Sequence, residues 1–207
     1  MFDILLSATC MVIGYLLGTI PTGYLIAKAR GVDIQKVGSG NIGATNVLRS
    51  IGTFAGIMVA VIDPLKGALA IVLPRLIDVP PWGVALTGLA TVLGNNFNVF
   101  LRLRGGKGIA TSFGVFLAID PIVGLFCAVL GIYAIILSRF VSLGSLIAAT
   151  AAPLLLIAKG DYPMPYLYLG VMLALLASFR HRENINRLAL GTERRFGEKV
   201  KTETEEA

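Results

Sequence analysis

Three short polar stretches interrupt an otherwise apolar chain, and each carries residue types suited to holding an anion. Residues 101–112 read LRLRGGKGIATS, with Gly105, Gly106 and Gly108 around Lys107 and Thr111 just after. A glycine-lysine-glycine turn leading into a helix presents backbone N–H groups and a helix dipole to a phosphate. Lys107 adds a point charge, and Thr111 or Ser112 a hydroxyl. The GxxxxGK[ST] spacing of a Walker loop is absent. A flexible, positively charged connector would have the same composition, so this stretch alone decides nothing.

Residues 38–49, GSGNIGATNVLR, repeat the theme with other parts. Gly38, Gly40 and Gly43 permit unusual backbone angles. Ser39, Asn41, Thr45 and Asn46 supply neutral donors, and Arg49 a fork that fits phosphate. A capped re-entrant turn explains any one of these residues but not the set. Residues 180–196, RHRENINRLALGTERRF, contain the only histidine, His181, with Asn184 one helical turn later on the same face. Histidine titrates near neutral pH. A lone histidine beside arginines also suits a membrane edge, and Arg180, Arg182 and Arg187 fit lipid-headgroup anchors equally well.

The elements that must carry these stretches are apolar. The chain of 207 residues is 56% hydrophobic and 14% charged, against about a quarter charged in soluble domains. Its apolar runs are continuous rather than alternating, which predicts an all-α polytopic membrane protein and argues against a β-barrel. We place spans at about 4–27, 51–73, 83–101, 109–119, 121–138, 142–158 and 163–179. Asp120-Pro121 divides one long apolar stretch into the fourth and fifth, because an X-Pro step favours a helix boundary.

With the N-terminus outside, seven spans leave fifteen of the eighteen basic residues on the cytoplasmic side and only Arg75 and Lys159 outside, with Lys66 inside a span. If 109–138 were one helix, the last basic cluster would lie outside. The positive net charge of +6 therefore points to membrane lipids and anionic ligands, not to nucleic acid. All three polar stretches fall on the cytoplasmic face and can form one site. Residues 197–207 form a polar tail, expected to be disordered in the cytoplasm. Cys10 and Cys127 read as buried thiols rather than a disulfide. Asp63 and Lys66, three apart within a span, read as a structural ion pair.

Taken together, GTIPTGYLIAK, GSGNIGATNVLR, DPLKG, LRLRGGKGIATSFG, SLGSL at 142–146 and RHRENINRLALGTE resemble, in order and over nearly the whole chain, the bacterial acyl-phosphate:glycerol-3-phosphate acyltransferases. The resemblance implies one integral membrane acyltransferase domain over 1–207 in the cell's inner membrane. Its substrates would be acyl phosphate and glycerol 3-phosphate, with a functional link to the enzyme that makes acyl phosphate. It implies catalytic roles for Ser39, Arg49, Lys107, His181 and Asn184. Substrate contacts would come from Gly38, Gly40, Asn41, Thr45, Asn46, Gly105, Gly106, Gly108, Thr111, Ser142 and Ser145. No metal or organic cofactor is expected. One departure stands out: GNNFNVF has Asn95 and Asn98 where the family's second motif usually has histidine and proline.

The chemistry suits these residues. An acyl phosphate already carries a leaving group, so a hydroxyl can attack it without a covalent nucleophile, provided the site positions and neutralises two phosphates. The base could be His181 or a substrate phosphate oxygen. Acyltransferases using thioester donors carry an aspartate five residues after their histidine, and Asn186 stands there. CDP-alcohol phosphotransferases need an aspartate cluster, which is absent. A transporter or flippase for a phosphorylated small molecule is the alternative from another class, although three motifs on one face fit alternating access poorly.

Overall fold

A computed structural model describes residues 1–198. The expected tail beyond 198 lies outside the described residues. The helices are α1 (Phe2–Gly18), α2 (Thr22–Lys28), α3 (Ala44–Ser50), α4 (Thr53–Leu76), α5 (Pro81–Asn96), α6 (Ile109–Ile119), α7 (Pro121–Ser138), α8 (Val141–Lys159), α9 (Met164–Arg180) and α10 (Arg182–Ala189), with a 3₁₀ turn at Val99–Leu101. Among the described residues, five apolar stretches are long enough to cross a bilayer: Phe2–Lys28, Thr53–Leu76, Pro81–Leu101, Pro121–Ser138 and Val141–Lys159. Ile109–Ile119 and Met164–Arg180 are apolar but shorter. All seven apolar stretches lie where the sequence places its apolar runs, to within a few residues at their ends, and five of them are long enough to span.

Small residues let the helices approach closely, as lipid-embedded bundles require. A Cβ on Gly18 of α1 would collide with the Thr91 carbonyl of α5, and one on Gly114 of α6 with the Pro64 carbonyl of α4. α5 packs against α1, α4 and α9; α6 bridges α4 and α7; α8 lies between α7 and α9. Large apolar side chains on the bundle's outside, such as Leu16, Leu125, Ile136, Leu154 and Met172, are exposed, as a lipid-facing surface demands.

Sequence punctuation sets the boundaries. Asp120 is the N-cap of α7: its Oδ1 accepts the Ile122 and Val123 N–H groups, with Pro121 opening the helix. Its other oxygen binds Lys159 and Tyr162, tying α7 to the end of α8. The first expected span is broken at residues 19–21, because Pro21 has no N–H to continue the helical ladder. At the break the Thr19 carbonyl has no helical donor, and it accepts the Asn98 Nδ2 (2.6 Å). The Ile20 carbonyl accepts the Lys66 Nζ (2.8 Å). Lys66 also pairs with Asp63 at 2.8 Å, and the Thr22 hydroxyl donates to the same carboxylate. The Asp63–Lys66 pair thus clamps α4 to the break in the first span.

A separate cluster of Ala27, Ile34, Ile42, Val47, Ala55 and Val59 anchors α2, α3 and the chain between them. These apolar anchors hold the polar 38–49 stretch against the bundle.

Candidate active site

A cavity of about 500 Å³ is lined by all three polar stretches. Ser39, Asn41, Thr45, Asn46 and Arg49 reach it from the first. Gly106, Lys107, Gly108 and Thr111 reach it from the second, and His181 and Asn184 from the third. Ser142 and Ser145 join from α8. Gly38, Gly40 and Gly105 do not line it. Gly38 and Gly40 adopt φ of 63° and 69°, which carry the backbone around the rim. A Cβ on Gly105 would strike the Asn95 carbonyl oxygen.

A carboxylate organises the polar end. Glu193 Oε1 accepts the Asn184 Nδ2 (2.6 Å) and the Ser142 hydroxyl (2.9 Å), and Oε2 accepts the Arg187 Nε (2.8 Å). Asn184 in turn presents its Oδ1 to the Lys107 ammonium. Burial alone would raise the Glu193 carboxyl, but the bonds from Asn184, Arg187 and Ser142 outweigh it and hold the group below its usual range. Burial pushes the Lys107 ammonium down to about 8, with Glu193 pulling the other way.

His181 sits at the junction of α9 and α10, only 3% exposed. Its Nδ1 lies 2.8 Å from the Ala177 carbonyl. A carbonyl only accepts, so Nδ1 carries the proton and Nε2 keeps a lone pair. Burial, and then the neighbouring Lys107 charge, push the imidazole down to about 4. The ring is neutral at physiological pH.

The glycine turn works differently from its sequence-based reading. The Gly105 and Gly106 N–H groups donate to the Asn96 (3.2 Å) and Asn95 (2.9 Å) carbonyls, so neither is free for a ligand. Arg180 grips the other side of the turn, donating to the Gly105 and Gly106 carbonyls at 3.1 and 2.9 Å and lying over the Phe97 ring. It is a loop clamp rather than a lipid anchor, whereas exposed Arg182 leans on Phe179. What the turn offers is the first turn of α6, residues 109–111, whose amides have no intrahelical acceptor. Gly108 (φ 77°) makes the entry into that helix.

Asn46 is likewise a loop keystone. Its Oδ1 accepts the Ser39 N–H at 2.9 Å, and its Nδ2 donates to the Val37 and Asn41 carbonyls at 3.0 and 2.9 Å. Asn41 accepts the Gly43 N–H, and Ser145 donates to the Val141 carbonyl of its own helix. The Thr111 hydroxyl is fully buried and has no hydrogen-bond partner among the described residues. Arg49, half-buried, lies 3.4 Å from the Arg195 carbonyl, so the chain after α10 crosses the mouth of the cavity.

From this polar end an apolar arm runs between α4, α6, α7 and α8, past Phe113, Ile135, Ile132, Gly131, Ala148 and Ala128 to Phe116 and Cys127. The cavity is thus cationic at one end, with Lys107 and Arg49, and apolar along the arm within the bundle, a shape and charge suited to an amphiphile.

Sequence reasoning missed Glu193 as a site residue. It belongs to the LGTE end of the third stretch, but it lies past Gly191, outside α10 and its periodicity. Only its turn back onto Ser142 and Asn184 reveals it. Asn95 also lines the cavity, at the position where the resembling family usually has histidine.

A family model described as "Glycerol-3-phosphate acyltransferase" matches residues 8–191. The glycerol-3-phosphate acyltransferase of Thermus thermophilus is 46% identical over 190 residues, covering 92% of this chain and 95% of the relative. Glycerol-3-phosphate acyltransferase 1 of Deinococcus radiodurans is 48% identical over 198 residues, covering 95% and 98%. The crystal structure of PlsY, an integral membrane glycerol 3-phosphate acyltransferase, in its glycerol 3-phosphate form superimposes with TM-score 0.88 at 43% identity, covering 92% of this chain and 96% of that one. The lysophosphatidic acid form of PlsY gives TM-score 0.86 at 42% identity. Agreement along nearly the full length, in sequence and in helical arrangement, makes this chain an integral membrane acyltransferase of the glycerol-3-phosphate acyltransferase family.

Proposed function

We propose that the protein transfers an acyl group from acyl phosphate to the sn-1 hydroxyl of glycerol 3-phosphate. The products would be lysophosphatidate (1-acyl-glycerol 3-phosphate) and inorganic phosphate, the first step of phospholipid biosynthesis. One observation carries this reading: a single cavity joins a cationic end, holding Lys107 and Arg49, to an apolar arm between α6, α7 and α8. An acyl chain bearing a phosphorylated head has that shape and charge, and so does the phosphorylated product.

In the step we infer, the hydroxyl oxygen of glycerol 3-phosphate attacks the acyl carbonyl carbon. The bond from that carbon to the phosphate oxygen breaks, and phosphate leaves with the electron pair. Lys107, Arg49 and the first-turn amides of α6 neutralise phosphate charge. Ser39, Thr45, Ser142 and Asn184 supply polar contacts that orient the heads. No acyl-enzyme is needed, and Cys127 lies in the apolar arm, away from the polar end. The hydroxyl proton must go to a base. Neutral His181, at about 4, is weaker than a phosphate monoester, whose second pKa is about 6. We therefore assign the proton to a substrate phosphate oxygen, with His181 Nε2 and Asn184 positioning the glycerol.

The orientation we infer has seven crossings of the inner membrane, the N-terminus outside, and the site on the cytoplasmic face, within reach of the enzyme that makes acyl phosphate. The test is to supply purified protein with glycerol 3-phosphate and, in parallel, palmitoyl phosphate, palmitoyl-CoA and palmitoyl-acyl carrier protein. Lysophosphatidate from the acyl phosphate alone supports the reading, and product from a thioester alone overturns it. Uptake of glycerol 3-phosphate into proteoliposomes without any acyl donor would instead indicate a transporter.

A further inference from the structure

The apolar arm of the cavity has a closed end. Its lining on α7 runs from Ile135 to Cys127, eight residues or about 12 Å along a helix. On α8 it ends at Ala149, and on α6 at Phe116. One turn farther from the polar end, Ile119, Val123 and Ala152 belong to the packed core and leave no continuation, at 8%, 2% and 0% exposure. Phe116 and Cys127 belong to the same core, at 3% and 5%, so they form the face on which the arm stops. The side of the arm is different. Ala60 of α4 and Ile132 of α7 line the cavity yet are exposed on the outside of the bundle. The arm therefore has a flank open towards lipid and a solid end.

We propose that this end, built from Phe116 and Cys127 with Ala128 beside them, selects acyl-chain length: chains that reach it bury every methylene, and longer ones must bend out through the flank between α4 and α7. The proposal rests on the acyl-transfer reading above. Selection of this kind is graded, because the surplus carbons exchange protein contact for lipid contact instead of meeting a sealed wall on all sides. Small residues make the arm possible. Gly131 and Gly144 face each other so closely that a Cβ on either would press on the other's carbonyl, and Ala128, Ala148 and Ala149 leave the width that a linear chain needs.

The experiment measures kcat/KM for a series of saturated acyl phosphates, from octanoyl to stearoyl, with glycerol 3-phosphate as acceptor. It compares the unaltered protein with Ala128→Leu, Cys127→Phe and Phe116→Ala. The readout is the ratio of long-donor to short-donor kcat/KM within each protein, which cancels differences in yield and folding. Filling the end should lower that ratio by more than about twofold but by less than the roughly tenfold that two methylenes would cost in water, since here the displaced carbons meet lipid. Phe116→Ala should raise it. Ratios within about twofold of the unaltered protein in active variants would overturn the proposal. If Cys127→Phe does not fold, Ala128→Leu, at a half-buried wall position, decides. Unaltered protein inactive with every acyl phosphate is a different result, and it overturns the acyl-transfer reading itself.

Discussion

Lys107 and Asn184, 77 residues apart in the chain, meet ammonium to amide oxygen at the polar end of the cavity, and Glu193 holds the other side of the same amide. The charge that the proposed reaction assigns to phosphate is thus kept in place by a neutral group, which is itself oriented by a carboxylate. Direct pairing of Lys107 with Glu193 would spend its charge within the protein. An amide relay leaves it available to an incoming anion.

Replacing Lys107 with alanine should therefore cost activity, whereas replacing Lys66 should cost stability. Loss of a charge-assisted contact corresponds to about 2–3 kcal/mol, or tens to a few hundredfold in kcat/KM. Lys66→Ala removes the partner of buried Asp63 and the donor to the Ile20 carbonyl, so its signature should be a lower Tm and yield. Steady-state kinetics beside thermal unfolding in detergent distinguishes the two, and the reverse pattern contradicts the assignments.

The pH profile should reflect Lys107 and not His181. The free-enzyme Lys107 ammonium titrates at about 8, so it is charged below that value and neutral above it. kcat/KM for glycerol 3-phosphate should then fall as pH rises through this range, and Lys107→Arg should move the fall to higher pH. His181, at about 4, should leave no inflection near its usual 6.5. A limb there that vanishes in His181→Gln would make the imidazole the base.

His181→Gln should retain much of the turnover, because an amide can still donate to the Ala177 carbonyl and still contact the glycerol. His181→Ala, which loses both, should fall by about tenfold to a hundredfold. A folded His181→Gln protein that binds glycerol 3-phosphate but shows no turnover would contradict substrate assistance.

Glu193→Ala releases Asn184, Ser142 and Arg187 together and should lower kcat/KM by roughly tenfold or more. Glu193→Gln, which can still accept from Asn184, should lose less. Equal activity of all three forms would remove Glu193 from the site.

Cysteines placed at exposed Lys36, Arg104 or Glu183 should be shielded from an impermeant thiol reagent in intact cells. Cysteines at exposed Asp78 or Asp161 should react. Labelling at any of the first three from outside breaks the inferred orientation.

Much of the architecture is legible in local signals. The Asp120-Pro121 boundary, the short α6 and the Asp63–Lys66 pairing follow from capping, proline chemistry and helical spacing. The gathering of the three polar stretches at one cavity follows from the asymmetry of basic residues, which puts them all on one face. Other features depend on partners far away in sequence, which periodicity does not encode. Asn98 is legible only as a departure from the family's proline, and its bond to the Thr19 carbonyl at the break in the first span shows only in three dimensions. The Gly105 and Gly106 amides read as free donors until Asn95 and Asn96 claim them. Glu193 has no helix to give it a face, and its role exists only through Ser142, Asn184 and Arg187.

Direct transfer is tested most squarely by mixing the purified protein with acyl phosphate labelled in its acyl chain, first alone and then with glycerol 3-phosphate. We expect no label on the protein and no burst of phosphate before the acceptor is added. Afterwards, labelled lysophosphatidate and inorganic phosphate should appear in equal amounts. Stoichiometric acylation of the protein, or phosphate released ahead of the acceptor, would contradict direct attack by the glycerol hydroxyl.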